Sequence, residues 1–191
     1  MNMIQKVVTL PYAPLRKRSK PIGHVGPPTV QLVKDMEDST LDWEDGREHE
    51  VGVALAASQI DIHKRVIVIR NDFDNKNDRS FTAYINPEVI KCEGNPVIEY
   101  EGCLSVKDLY GKVPRYPKVV VKAKLINGSE VIITAEGFLA RVFQHEIDHT
   151  NGVLFVDRIK NEPEAFYRLR DNGNIEPLSE AEREDVFSIL W

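Results

Sequence analysis

The chain has 191 residues, 42% of them hydrophobic and 29% charged, an ordinary composition for one globular domain large enough to bury a core. Its net charge of −5 argues against a dedicated nucleic-acid binder, and its two cysteines exclude a disulfide framework. No apolar run approaches the ~20 residues of a membrane span, and with only two cysteines a reducing, cytoplasmic setting is expected. Charge is unevenly spread. Lys6, Arg16, Lys17, Arg18, Lys20 and Lys34 precede the first acid, Asp35, whereas residues 161–191 carry eight acids against Arg168, Arg170 and Arg183. The acid-free start has the composition of an organellar targeting peptide, but Pro11, Pro14 and Pro21 would interrupt its amphipathic helix.

In chain order, Ile4 to Leu10 reads as a short strand, and Pro27-Pro28 closes an irregular opening segment. Thr29 can cap a helix over Val30 to Asp38, with Leu32, Val33 and Met36 at helical spacing. Asp38 to Glu50 is polar and reads as a mobile loop. The β-branched run Arg65 to Arg70 predicts a buried strand, and the polar stretch Asn71 to Ser80 an exposed loop. Further strands are expected at Ala83–Asn86, Val97–Tyr100, Lys118–Leu125 and Glu130–Thr134, the last two joined by an Asn127-Gly128 hairpin turn. From Glu136 to His149 the period becomes helical, with Thr134 as cap and Asn151-Gly152 as stop. Glu180 to Leu190 predicts a final helix. Strands first and a buried helix late imply an α+β fold, its antiparallel sheets packed around that helix.

The chemistry centres on His145-Glu146-Ile147-Asp148-His149. Residues four apart share one helix face, so both imidazoles can reach one ion. Glu146 stands about 100° round the helix, beside the metal, where a general acid/base is needed. A histidine third ligand six residues beyond His149 is absent, because Phe155 occupies that position. Glu164 or Asp171 would give a carboxylate ligand, but neither has a context that aims it back. Cys103, in Glu101-Gly102-Cys103-Leu104-Ser105, is the better candidate. A thiolate with two histidines leaves one open position, and Gly102 lets the backbone approach closely. Cys92 lacks such surroundings and reads as structural. Phe138 and Val142 lie on the metal side of the helix and, with Val53, make an apolar wall suited to an unbranched side chain; the stem of Arg141 can cover it. Glu101 and Arg115 read as an ion pair across strands. Asp148 reads as either a support for a histidine or, preferably, a local structural group.

Together with Gly52-Val53-Ala54-Leu55-Ala56-Ala57-Ser58-Gln59, these segments resemble, in residues, order and separation, the three motifs of the peptide deformylase family. The resemblance covers roughly residues 5–160, so residues 1–160 are expected to form the catalytic domain and 161–191 an acidic extension ending in a helix. It implies hydrolysis of the N-formyl group from the formylmethionine of newly made polypeptides, with one divalent metal per chain on Cys103, His145 and His149. Ferrous iron is the first choice, with zinc or nickel next. It further implies Glu146 as general acid/base, Gln59 and the Leu104 N–H as oxyanion donors, and Gly52, Val53, Ala54, Phe138, Arg141 and Val142 as substrate contacts. N-formylmethionyl nascent peptides are the expected partners, with transient ribosome contact but no sequence-specific nucleic-acid binding. Ala54 departs from the pattern, standing where the family has glycine. It favours the rival reading of a weakened homologue acting as a binding module. An amidase on another small formyl or acyl amide, and a metallopeptidase, are the chemically neighbouring alternatives. An ordinary extended backbone is expected at Ala54, with its methyl near the peptide edge of the cleft.

Overall fold

A computed structural model of the chain describes residues 4–191, so the first three residues of the catalytic unit expected from residue 1 lie outside it. The elements in order are α1 (Pro27–Asp45), β1 (Ala54–Ala56), β2 (Val66–Arg70), β3 (Phe81–Glu93), β4 (Val97–Cys103), β5 (Val106–Arg115), β6 (Lys118–Lys124), β7 (Glu130–Glu136), α2 (Gly137–Thr150), α3 (Phe155–Arg158), β8 (Phe166–Leu169), β9 (Ile175–Pro177) and α4 (Glu180–Leu190). The strands form two antiparallel sheets, β1-β2-β3-β6-β7 and β4-β5-β8-β9. The class is α+β. Among the described residues no helix is long and apolar enough to cross a membrane.

β2 shows why its run is apolar throughout. Alternate side chains leave a strand on opposite faces. Ile67 and Ile69 pack with Phe143 and Ile147 of α2, while Val66 and Val68 pack with Leu32, Val33 and Met36 of α1. Both faces are covered, so neither can be polar. The second sheet has its own core, in which Val106, Leu109 and Val113 of β5 meet Phe155, Phe166, Leu178, Val186 and Leu190. The acidic C-terminal segment is therefore acidic outside and apolar inside, and β8 pairs with Leu109–Gly111 of β5.

Several boundaries differ from the sequence reading. Residues 4–10 enter no sheet. They run as an extended tie, with Val8 N–H donating to the Gln59 carbonyl (2.8 Å) and Leu10 N–H to the Ser105 carbonyl (2.9 Å). α1 starts after Gly26 and continues through the expected loop to Asp45. Its late polar residues are turned inward and satisfied, Ser39 Oγ donating to the Asp35 carbonyl and Thr40 Oγ1 to the Met36 carbonyl. β3 runs through Pro87, with a register shift between Ile85 and Glu88 that takes the missing N–H out of the ladder. β5 was hidden by Gly111 and Pro114, although Leu109, Gly111, Val113 and Arg115 alternate inward. The cap of α2 is Glu136 rather than Thr134. α2 stops where predicted. Gly152 has φ +77°, and a Cβ there would sit 2.4 Å from the Arg16 carbonyl oxygen, so backbone geometry and packing both demand glycine.

Candidate metal centre

α2 carries His145, Glu146 and His149, all buried, and packs on β1, β2, β3, β6 and β7. Cys103 arrives from the end of β4. The β4–β5 register shifts between Gly102 and Cys103, turning the cysteine out of the ladder toward α2. Gly102 is required there because an added Cβ would meet the Tyr110 ring at 2.6 Å. Cys103 Sγ lies 3.2 Å from His149 Nε2, which lies 3.3 Å from His145 Nε2. One tetrahedral ion at about 2.0–2.3 Å from each ligand needs ligand atoms roughly 3.3–3.6 Å apart. The two nitrogens stand at that spacing, the sulfur lies slightly inside it, and all three atoms are within 4.8 Å of one another; among the described residues this is the only His/Cys/Asp/Glu group so arranged. Cys92 is exposed and outside it.

The neighbouring groups orient this set. His145 Nδ1 is 3.0 Å from Glu101 Oε2, which fixes Nε2 toward the site. The sequence reading assigned Glu101 only to Arg115. That pair does form, Arg115 Nε and Nη2 donating to Glu101 at 2.7 and 2.9 Å, and the same carboxylate also serves the histidine. Asp148 touches neither site histidine and instead accepts from Arg115 and Arg158. Burial pushes the Glu101 carboxyl up, but the hydrogen bonds with Arg115 and His145 prevail and hold it well below the usual carboxylate range. Burial, then the adjacent His145, keep His149 well below its ordinary pKa; burial also pushes His145 down, but its hydrogen bonds with Cys103 and Glu101 prevail and hold it well above the ordinary value, so a bound ion would have to displace that proton.

Glu146 is 4% exposed and its Oε2 has no protein partner. Burial is the first cause lifting its carboxyl to about 7. An unpaired buried carboxyl is costly and belongs at a working site. Gln59 is held in a 3-10 turn over Ala57–Ile60. Its Oε1 accepts from Ala56 N–H (2.8 Å), so the amide NH2 must face Ser105 Oγ (3.2 Å) and Cys103 Sγ (3.6 Å). The N-terminal tie, bonded to both Gln59 and Ser105, braces this corner.

A cavity of about 300 Å³ opens beside these groups, and Val53, Ala54, Gln59, Leu104, Phe138 and Val142 are among its walls. Phe138 is half exposed and packs edge-on against Phe73 (5.3 Å between centroids). Arg141 lines the cavity with its guanidinium buried, donating to Glu99, Glu101 and the Val97 and Val113 carbonyls. It is thus more than a surface ion pair. Gly52 does not line the cavity. It lies one step behind, its N–H given to Glu44 (2.7 Å) and its carbonyl accepting from Arg70 Nε (3.2 Å). The Glu44–Arg70 pair, fully buried, escaped the sequence reading because Glu44 fell in the expected loop. Trp43, Glu50, Tyr100 and Tyr110 also line the cavity unforeseen, coming from that segment and from strands across the sheet.

Ala54 is not among the residues with positive φ, as expected. Its side chain, 4% exposed, packs with Ala140, Val142 and Phe143, so the methyl belongs to the core as much as to the cleft. Ala54→Gly should therefore lower stability by roughly 0.5–1 kcal/mol and leave KM within about threefold. A large fall in KM in steady-state assays would place the methyl against substrate after all.

A Cys/His/His donor set with both histidines buried, beside an unpaired helix carboxylate at one small cavity, is the build of a metallohydrolase. The polypeptide deformylase family model matches residues 4–164. The peptide deformylase of Halothermothrix orenii is 44% identical over 145 residues, 76% of this chain and 86% of that one. That of Carboxydothermus hydrogenoformans is 40% identical over 158 residues, covering 83% and 95%. Among solved structures, the Legionella pneumophila peptide deformylase is 35% identical with a TM-score of 0.74, covering 98% of this chain and 94% of its own. The Synechococcus elongatus enzyme in complex with actinonin is 33% identical with a TM-score of 0.74, covering 83% and 82%. The chain belongs to the polypeptide deformylase family. It is a hydrolase that removes the formyl group from the N terminus of newly made polypeptides.

Proposed function

We propose that Cys103 Sγ, His145 Nε2 and His149 Nε2 hold one divalent ion, ferrous iron in first place, and that Glu146 moves the proton. The observation that carries this reading is the convergence of the three ligand atoms beside a buried carboxylate oxygen with no protein partner. When bound, the ion supplies a Lewis acid that acidifies water and polarises the formyl carbonyl. Glu146 takes a proton from the attacking water and returns it to the leaving amine; a carboxyl lifted to about 7 suits both directions near neutral pH. Gln59 Nε2 and the Leu104 N–H donate to the oxygen that gains charge, a contribution of about 3–4 kcal/mol per donor. Gln59 is held for this task by its bond from Ala56. Glu101 keeps His145 aimed, and Arg115 keeps Glu101 ionised.

Val53, Phe138 and Val142 receive the methionine side chain, and the buried Arg141 backs that wall. Formyl-Met peptides should then exceed formyl-Asp peptides in kcat/KM by about 10–200-fold, the 1–3 kcal/mol of a lost aliphatic contact. Equal values would remove the pocket assignment. The partners are N-formylmethionyl nascent peptides, met in the cytoplasm.

The deciding test is metal content with activity. Purified anaerobically, wild type should carry one transition-metal ion per chain and release formate from formyl-Met peptides but nothing from acetylated or free ones. Cys103→Ala should lose both the ion and turnover. A full complement of metal in Cys103→Ala would take the cysteine out of the ligand set.

A further inference from the structure

Two basic stretches with no role in the pocket lie side by side on the other side of α2. Lys17-Arg18-Ser19-Lys20 and His63-Lys64-Arg65 contain no acid. Backbone bonds align them, Lys20 N–H donating to the His63 carbonyl (3.0 Å) and Arg65 N–H to the Lys20 carbonyl (2.9 Å), while Ser19 N–H reaches the Thr150 carbonyl at the end of α2 (2.8 Å). Arg18, Lys20, Arg65 and Arg158 border an open groove of about 1040 Å³. Gln144 and Ile147 of α2, with Asn151 just past its end, line it, whereas Val142, His145 and Glu146 line the substrate cavity, so the two can be filled together.

The charge in this groove is poorly compensated. Its acids are Glu88 and Asp148, and Asp148 already accepts from Arg115 and Arg158. The side chains of Arg18 and Lys20 make no hydrogen bond or ion pair among the described residues. Arg65 is held by Asn151 Oδ1 (2.8 Å) and the Pro87 carbonyl (3.0 Å). Burial first, and then the neighbouring Arg18, lower its pKa, with Glu88 opposing. Ser19, lining the groove at 4% exposure, has a hydroxyl with no protein partner. A chain of net charge −5 thus concentrates cations where they repel one another, an arrangement that an anion would relieve. The groove exceeds the size of a single small anion, and Tyr116, 40% exposed, stands in it. Cations along a groove with an aromatic face are the elements of single-strand nucleic-acid binding.

We propose that this groove docks the phosphate backbone of single-stranded RNA without reading its sequence. The choice of RNA as the polyanion rests on the nascent-chain activity; the groove itself does not. The acidic C-terminal helix, with Glu180, Glu182, Glu184 and Asp185, would repel such a partner.

The test is fluorescence anisotropy with a labelled RNA of about 12 nucleotides, from ~50 to ~200 mM salt. Wild type should bind at low salt and release as salt rises. Arg18→Glu with Lys20→Glu should weaken binding at least ~10-fold and flatten the slope of log K against log salt by about 1.4, two phosphate contacts at about 0.7 each. Lys122→Glu with Lys124→Glu on β6, the same charge change elsewhere, should leave binding within about threefold, and all three proteins should release formate at the same rate. Absence of binding at low salt overturns the proposal. So does an equal loss in the Lys122/Lys124 control, or loss of formate release in the Arg18/Lys20 variant, which would mark a general structural effect. Displacement by inorganic phosphate at matched phosphate concentration would make the groove a small-anion site and also overturn it. RNA binding that is lost only with Arg18 and Lys20, in a protein without formate release, would support the groove while refuting the residue roles proposed for the pocket.

Discussion

Glu146→Gln is expected to lower kcat/KM for a formyl-Met peptide by about 10²- to 10⁴-fold while leaving the fold, the metal content and KM almost unchanged. Glutamine keeps the shape and one hydrogen-bonding oxygen of the side chain but cannot take a proton at neutral pH. Glu146 touches no structural partner through Oε2, so its replacement breaks no brace of the fold. The loss corresponds to about 3–5 kcal/mol of transition-state stabilisation. Steady-state kinetics beside metal analysis on the same samples decide the matter. Activity within tenfold of wild type would mean that another group carries the proton.

Glu101→Gln should be the most damaging single change to stability. Glu101 is the shared counter-charge of two buried guanidiniums, Arg115 (2.7 Å) and Arg141 (2.8 Å), and it also meets His145 Nδ1 (3.0 Å). Neutralising it leaves Arg115 with Asp148 and Arg141 with the exposed Glu99 as their remaining counter-charges, a buried cluster short of negative charge, at a cost of about 3–5 kcal/mol, or a fall in Tm of about 6–20 °C for a chain of this length. Metal affinity should fall about 10–100-fold as His145 loses its orienting carboxylate. The pH dependence has a definite sign. The folded-state pKa of Glu101 is lowered, so its stabilisation is present above the unfolded carboxyl value near 4.3 and is lost as pH falls toward the folded one. Wild type should therefore lose its advantage over Glu101→Gln as pH drops below about 4. Thermal melts across that range measure this; a gap that does not change with pH would remove Glu101 as the source of the stability.

The lesson of these two residues differs. Glu146 was legible because helix geometry alone relates it to His145 and His149: a spacing of four stacks two imidazoles, and the next residue necessarily stands beside them. The same local logic exposed β2, the Asn127-Gly128 turn and the stop at Gly152. Donor chemistry and the neighbouring Gly102 pointed to Cys103, and motif resemblance added Gln59; both are far from α2 in sequence. Glu101 was assigned half its work, because a carboxylate with one obvious partner gives no sign that a histidine from another element will also approach it. Glu44 and Arg70 were invisible for a related reason. A charged residue in a polar stretch reads as solvated, and only packing shows that α1 carries it under β2, where it holds Gly52. Ala54 shows the limit most plainly. Its backbone conformation followed from the steric cost of a methyl at positive φ, but whether that methyl faces substrate or core depends on which sheet face α2 covers. The C-terminal segment looked like an acidic appendage since its charges are frequent; Phe166, Leu178, Val186 and Leu190 become a core only once β5 lies beside them. Sequence by itself determined which residues are candidates to hold a metal and move a proton, the α+β class and the turns, because these depend on chemistry and short-range geometry. Tertiary structure alone decided the second sheet, the buried charge network and the inward or outward sense of each wall residue, because those depend on contacts between segments distant along the chain.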